Sequence, residues 1–200
     1  MDSTDTSHFN NVSYQHYFQQ ALPYETYRQN LEQEAGHPSN GPYTNYVPQN
    51  LQRIHRIEKT LHLPEDLVLK LKNLTEKIHW LVISEHWCGD AAQIMPVINA
   101  LAQASEGKIA LKVIYRDENP DLMDAHLTGT SRSIPKLLQL NTHFDLTAEW
   151  GPRPAEAQQL VKDWHQNPEK IGNYADELHL WYAKDKQKSI LKELSQFLFA

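Results

Sequence analysis

The clearest pattern in the chain is an alternation of short apolar runs with segments whose apolar residues recur every three or four positions. The runs Ile78–Ser84 and Ile109–Tyr115 are typical of buried strands. Between them, apolar residues at helical spacing predict a helix over 90–103. A strand, a helix and a second strand in this order predict a parallel pair of strands joined by a right-handed crossover.

Further elements follow toward the C-terminus. Asn119-Pro120 is a strong helix start, because Asn caps a helix and Pro suits its first position. The pattern predicts a short helix over 122–127 and a hairpin whose strands span 136–140 and 144–150. Two more helices are predicted, over 154–164 and from Pro168 toward Phe199. The whole order predicts an α/β fold in which helices cover both faces of a four-stranded mixed sheet.

The chain changes character near residue 50. Residues 1–50 are polar and aromatic, and their aromatic spacing suits one short amphipathic helix interrupted by Pro23, followed by a loop over 35–48. We expect these residues to form an N-terminal extension. Residues 51–200 are expected to form the main domain, with a leading set of helices and a C-terminal helix.

Two helices are predicted at the start of that domain, over 51–61 and 64–77. The polar side of the first helix carries Arg53, Arg56 and Lys59. The simplest interpretation of this basic side is a solvated face, or a set of salt bridges to an acidic body.

Charge and hydropathy exclude several classes of partner. The chain has 19 Lys and Arg against 25 Asp and Glu, for a net charge of -6, so no basic field favours nucleic acid or an anionic membrane. No stretch approaches the about 20 apolar residues that span a bilayer. Residues 1–20 lack the basic start and apolar core of a secretory signal, so we expect a cytoplasmic location.

The chain holds a single cysteine, Cys88. An internal disulfide is therefore excluded, as is a zinc site built from cysteines, which needs about four ligands. His86 and Cys88 form the only close Cys/His pair, and no further ligands follow at metal spacing. We expect neither a metal nor a cofactor.

Cys88 lies between the end of the first predicted strand and the start of the next helix. At a helix N-terminus, a thiol meets unpaired backbone N–H groups and the positive end of the helix dipole. Both favour the thiolate, which is the nucleophilic form of cysteine. The position of Cys88 therefore suits thiol chemistry.

These residues carry a resemblance to a known family. Trp87-Cys88-Gly89 before a helix resembles the thioredoxin active-site motif, Pro96 matches the proline that kinks the thioredoxin helix, and Ser133-Ile134-Pro135 is similar to the family's cis-proline segment. A narrower resemblance, to a bacterial subgroup with one active-site cysteine, rests on 87–91, 116–124, 132–136 and 150–154. It implies a thioredoxin-like fold and a site in which the segment before Pro135 faces Cys88.

Departures from ordinary thioredoxins limit what the resemblance implies. Ala91 stands where the second, resolving cysteine would be, so a mixed disulfide at Cys88 has no internal thiol to release it. Asp90 replaces the motif's proline, and its charge would oppose a thiolate at Cys88. A protonated His86 would act in the opposite direction. Val82 occupies the position of the buried carboxylate that helps proton transfer in thioredoxins.

The preferred interpretation is monothiol exchange, in which Cys88 forms mixed disulfides with a small thiol or a protein thiol and an external thiol resolves them. The alternative for Cys88 is a small buried residue that packs in the fold and catalyses no reaction. A non-redox binding module that uses the same groove is the competing class of function. A peroxide-reducing enzyme is a third and less supported possibility.

Each candidate site residue has two interpretations. Asp90 is either a proton carrier or an acidic residue that stabilises the first turn of a helix. Arg132 and Arg153 either bind a carboxylate of the substrate or pair with Asp117, Asp121 or Asp124. The remaining candidates frame the thiol or, as the resemblance implies, present backbone to an extended substrate, and they are Trp87, Gly89, Ile134 and Pro135. The alternative for Pro135 is a residue that only shapes a turn.

Overall fold

The structure is a computed structural model of the 200-residue chain, and it describes residues 9–37, 41, 43–167, 169–170 and 172–199. The predicted helix start at Pro168 and part of the predicted loop over 35–48 lie outside these residues. Contacts divide the chain into two compact units, Met1–Pro152 and Arg153–Ala200. The predicted domain boundary at residue 50 stays a prediction.

The first unit contains a five-stranded mixed sheet in the order β1-β3-β2-β4-β5. Its strands are β1 Leu22–Pro23, β2 Ile78–Ser84, β3 Ile109–Tyr115, β4 Lys136–Leu140 and β5 Leu146–Trp150. The central β2 pairs parallel with β3 and antiparallel with β4, so the predicted parallel pair and the predicted hairpin are confirmed. The sheet has one strand more than the four predicted, because the two-residue β1 pairs antiparallel with β3.

Helices flank this sheet. Those of the first unit are α1 Asn11–Gln20, α2 Tyr24–Gly36, α3 Val47–Thr60, α4 Glu65–Lys72, α5 Gly89–Ala104 and α6 Pro120–Asp124. The crossover helix α5 packs against β3, α3 and α4 pack on α5, and α2 packs on α3. The single N-terminal helix predicted around Pro23 is in fact two helices, because Pro23 lies in β1 between them.

The core of the first unit forms where β2 meets α5. Trp80, Leu81, Val82 and Ile83 are all completely buried, as expected for a central strand that is covered on both faces. Pro96 interrupts the backbone hydrogen bonding within α5 but is itself buried in this core. The consequence for the site is that Cys88, directly before α5, lies between two buried elements of the core.

The N-terminal helix α1 is fixed to the same unit by a buried polar chain. The Tyr14 hydroxyl lies 3.1 Å from Nε2 of His126, and Nδ1 of His126 lies 3.0 Å from the Glu149 carboxylate. Burial and, to a smaller extent, the Glu149 carboxylate raise the pKa of Tyr14 to about 12. This phenol is therefore a hydrogen-bonding group and not an acid at neutral pH.

The second unit is helical in the residues that the structure describes. It comprises α7 Ala155–Gln166, α8 Tyr174–Asp185 and α9 Lys188–Leu198, with α7 packed on α8. The last predicted helix is divided in two, because Lys186 and Gln187 both adopt left-handed backbone conformations. In neither unit does a described helix have the length and apolar character required to cross a bilayer.

Candidate functional site

Cys88 is the N-cap residue of α5, at the turn that follows β2. Its backbone is extended (φ -74°, ψ 118°), and its Sγ accepts a hydrogen bond from the Ala91 N–H at 3.4 Å. The side chain is only 7% exposed. The predicted position of Cys88 at a helix N-terminus is therefore found in the structure, with one first-turn amide directed at the sulfur.

A second contact joins Cys88 to the segment before Pro135. The Cys88 thiol donates to the Ile134 carbonyl oxygen at 3.3 Å, and the Ile134-Pro135 peptide bond is cis. Only the thiol can donate, whereas the Ala91 N–H interacts more strongly with a thiolate. The two contacts therefore favour different protonation states: the Ile134 carbonyl stabilises the protonated thiol, and the Ala91 N–H stabilises the thiolate.

Gly151, after β5, packs directly against the backbone of Pro135. It adopts φ +119°, and a Cβ placed on it would lie 2.3 Å from the Pro135 carbonyl oxygen. No side chain fits between these two pieces of backbone. The glycine at the end of β5 is thus required for the close approach that sets the position of Pro135.

Trp87 packs against an aromatic ring and a guanidinium. The Tyr43 ring centroid lies 4.9 Å from that of Trp87, and the Arg116 guanidinium lies 4.7 Å from the Trp87 ring. Arg116 also donates to the Arg132 carbonyl oxygen at 3.3 Å. Arg116 therefore links Trp87 to the segment that carries Pro135.

The turn before Cys88 is pinned by residues from the preceding helices. Nδ1 of the buried His86 lies 2.6 Å from the Glu34 carboxylate of α2, and its Nε2 lies 3.1 Å from the Tyr27 carbonyl oxygen. Asn50 of α3, which is completely buried, donates to the His86 carbonyl oxygen at 3.0 Å. Two helices upstream of β2 thus fix the backbone that presents the thiol.

Tyr27 brings a phenol into the electrostatic surroundings of Cys88. Its hydroxyl lies 3.3 Å from the Ser84 hydroxyl, and burial raises its pKa well above the usual range. A charged Cys88 would raise the pKa of Tyr27 further, which means that the two groups interact electrostatically. Tyr27 remains a neutral phenol when Cys88 ionises.

Glu85 is a half-buried carboxyl at the same turn, and its Oε1 accepts from the Asp117 N–H at 2.9 Å. The pKa of Glu85 is raised to about 7, with burial as the main cause; the Asp117 N–H lowers this pKa and the charge of Asp117 raises it. The folded protein therefore holds this proton more tightly than the unfolded chain does. Stability contributed by the protonated form falls as pH rises from about 4.5 to about 7 and does not change further above that range.

We expect the Glu85→Gln variant to gain stability relative to the wild type as pH rises from about 5 to about 8. Gln keeps the oxygen that accepts from Asp117 but cannot ionise, so the gain should appear only where Glu85 is charged. The measurement is the free energy of unfolding in urea for both proteins at matched pH values. A difference that stays constant across this pH range would show that Glu85 titrates normally.

The remaining candidate residues occupy different surroundings. Asp90 lies in the first turn of α5 and is 7% exposed. Arg132 is exposed and pairs with Asp124 through two hydrogen bonds of 2.6 and 2.5 Å, one of the structural pairings considered from the sequence. Arg153 belongs to the second unit, where it donates to Gln158 at 3.3 Å. The roles proposed for these residues stay predictions.

Several residues at the site were not predicted from the sequence. They come from α2, the residues before α3, α3 itself, and the residues directly after β2 and β3, and they are Tyr27, Glu34, Tyr43, Asn50, Arg53, Glu85 and Arg116. Asn50 alone carried a usable signal, because it falls at helical spacing with the buried Ile54 and Ile57. Within the described part of the chain, no group of three or more His, Cys, Asp or Glu is arranged to hold a metal ion.

Fold and site together define a class of protein, in which a cysteine caps the helix after the central strand and contacts the residue before a cis-proline. The sequence model of the Thioredoxin family matches residues 36–165, which is more than half of the chain. The protein belongs to the thioredoxin family.

Two kinds of relative agree with this membership. Thioredoxin 1 of Nostoc sp. is 38% identical over 52 residues, which cover 26% of this chain and 46% of that protein. The match therefore spans less than half of that relative. A protein of unknown function from Pseudomonas aeruginosa has a TM-score of 0.63 at 17% identity, covering 91% of this chain and 94% of that one.

An HIV epitope-scaffold has the same TM-score of 0.63 and 17% identity, covering 92% of this chain and 96% of its own. At this level of identity, the likeness to both solved structures concerns the fold alone. The predicted thioredoxin-like fold, with helices added before and after the core, is confirmed by these similarities and by the family membership.

Proposed function

We propose that this protein is a monothiol member of its family, in the single-cysteine subgroup, that carries out thiol-disulfide exchange through Cys88. The observation that carries the proposal is the placement of Sγ at the N-terminus of α5, within hydrogen-bonding distance of the Ala91 N–H and the Ile134 carbonyl. The general family function is thioredoxin-like. The monothiol mechanism is our addition to it.

The proposed reaction has two exchange steps. The Cys88 thiolate attacks one sulfur of a disulfide, a new S–S bond forms at Cys88, and the other sulfur leaves as a thiolate that takes up a proton. An external thiolate then attacks the mixed disulfide at the sulfur of the bound group. Cys88 is released as a thiolate and the bound group departs as a disulfide with the external thiol, so no net oxidation occurs at the protein.

The surroundings of Cys88 support a reaction in which Cys88 forms the mixed disulfide and an external thiol releases it. Ala91, completely buried three residues after Cys88, offers no thiol for internal release, which makes the external thiol necessary. Trp87 and Gly89 frame the sulfur, and the backbone of Ile134 and Pro135 provides the wall against which an extended substrate would lie. Asp90 is proposed as a modulator of the thiol proton.

Partners and location follow from the same chemistry. The proposed substrates are a small disulfide or a disulfide of a partner protein, and the proposed resolving agent is a small thiol. The cytoplasm, where thiols are kept reduced, supplies that agent and is the compartment we propose. Recognition of a substrate carboxylate by Arg132 or Arg153 remains a separate prediction.

The test is exchange with a neutral probe, hydroxyethyl disulfide, followed by intact mass. We expect one adduct per chain, absent in Cys88→Ser, and its rapid loss when a small thiol is added. An adduct that does not form under native conditions, or that forms and persists in the presence of excess thiol, would rule out exchange as the activity. Urea-unfolded protein serves as the reference for an unprotected thiol.

A second candidate function is supported by the low exposure of the sulfur. Because Cys88 is only 7% exposed and Trp87 packs against Tyr43 and Arg116, the same face would also suit a binding module that uses no redox step. The exchange experiment separates the two, since a binding module has no need of a thiol that reacts and is regenerated.

A further inference from the structure

The buried side-chain amide of Asn50 joins α3 to the turn before Cys88. Asn50 donates from Nδ2 to the His86 carbonyl oxygen at 3.0 Å, and its Oδ1 accepts from Nη1 of Arg53 at 2.8 Å. A single side chain therefore separates the Arg53 guanidinium from the backbone two residues before Cys88. Because Asn50 is completely buried and both ends of its amide are used, the guanidinium is held in one place.

Arg53 differs from the other arginine on this face of α3. Arg56 is exposed, whereas Arg53 is half-buried. Burial lowers the pKa of Arg53, the charge of Arg56 lowers it further, and the charge of Asp90 acts in the opposite direction. A partly desolvated cation is costly unless a negative charge lies nearby, and Asp90 in the first turn of α5 supplies that charge.

The sequence places an acidic residue, Asp90, close to the cysteine that is proposed to ionise. Asp90 is two residues from Cys88 and 7% exposed, so its carboxylate alone would oppose a thiolate. α3 packs on α5, and Asn50 joins the Arg53 guanidinium to the backbone of the turn before Cys88. The positive charge of Arg53 therefore lies at this turn, where the charge of Asp90 acts on it. The carboxylate and the guanidinium then act on the sulfur with opposite signs.

We propose that Arg53 is a positioning residue for Cys88: held by Asn50, its guanidinium offsets the Asp90 carboxylate and so permits a thiolate at the N-terminus of α5. The inference deepens the proposed exchange function and rests on it for its biological purpose. The other titratable or charged groups around this turn are Tyr27, Glu34, Glu85, His86, Tyr115 and Arg116. None of these is altered in the experiment below.

The experiment measures the rate of Cys88 alkylation by iodoacetamide across pH, which gives the apparent pKa of the thiol without any exchange step. We expect Arg53→Met to raise this pKa by about one unit and to slow alkylation at neutral pH about tenfold. Arg53→Lys keeps the charge and should recover most of the wild-type rate. Arg56→Met removes an exposed charge from the same helix and should leave the profile unchanged.

Substitutions at Asp90 test the balance from the other side. Asp90→Asn should lower the pKa of Cys88, and the double variant Arg53→Met with Asp90→Asn should return it close to the wild-type value. These two proteins also keep the test decisive if Arg53→Met alone does not fold, as judged by circular dichroism and urea unfolding.

An unchanged Cys88 pKa in folded Arg53→Met, or an equal shift in Arg56→Met, would overturn the proposal. So would a double variant that retains the full shift of the single Arg53 substitution. Failure of the proposed function is a separate result: a wild-type thiol that alkylates with the expected pH profile but does not exchange with hydroxyethyl disulfide. In that case the action of Arg53 on the thiol stands while the exchange activity is lost.

Discussion

Ala91→Cys is expected to convert the monothiol site into one that releases its own mixed disulfide. Ala91 is three residues after Cys88, and its N–H already points at Sγ from 3.4 Å. A thiol on this residue would attack the adduct at Cys88 and form an internal disulfide. Since intramolecular attack is favoured by orders of magnitude, the lifetime of the hydroxyethyl adduct should fall by at least about a hundredfold without added thiol.

Intact mass reports this result directly, because the bound group leaves as 2-mercaptoethanol and the product is lighter by two hydrogens than the reduced variant. Ala92→Cys is the matched control. Ala92 is equally buried but packs against Leu31, Val47 and Ile54, so a thiol there faces the apolar cluster beneath α2 and α3. The hydroxyethyl adduct at Cys88 of the Ala92→Cys variant should persist as in the wild type. A persistent adduct in Ala91→Cys would contradict the geometry described for the site.

Gly151→Ala is expected to be among the most destabilising single substitutions in the first unit, at about 3–4 kcal/mol. Two costs combine: the residue has φ +119°, and the new Cβ would meet the Pro135 carbonyl oxygen at 2.3 Å. Backbone must move to relieve this contact. The displaced segment is the one that accepts the hydrogen bond from Cys88, so the alkylation profile of the thiol should change as well.

Gly107→Ala separates the two costs of the Gly151 substitution. Gly107 also has a positive φ, +88°, but an added Cβ would have no heavy atom within 4 Å. We expect it to lose only about 1–2 kcal/mol and to leave Cys88 unaffected. Free energies of unfolding in urea measure both variants. Equal losses at the two glycines would show that the contact with Pro135 is not under steric constraint.

The strands of the core were predictable because buried parallel and central strands leave short, mostly apolar runs. The bounds predicted for β2, β3 and β4 are those observed. β1 was not predictable, because Leu22–Pro23 is too short for any periodicity and depends on pairing with β3, far along the chain. The same reason explains why the sequence alone does not bring Tyr27 and Glu34 to the turn before Cys88.

The site was predictable in part. A cysteine between a buried strand and a helix is placed at a helix N-terminus by local pattern, and the pattern located Cys88 correctly. The environment of Arg53 was not predicted, because the spacing of the apolar residues in its helix places Arg53 on the polar, solvent-facing side. Its burial depends on the amide of Asn50 and on the packing of α3 against α5, which are contacts between distant segments.

The central claim is that Cys88 is an exchange-competent thiol, and the rate of its reaction with hydroxyethyl disulfide as a function of pH tests it most directly. With Cys88→Ser as the blank, we predict an apparent pKa below the reference value of about 8.5 and rapid release of the adduct by an added thiol. A slow reaction with a pKa at or above that value would contradict the account and leave the motif as part of the architecture alone.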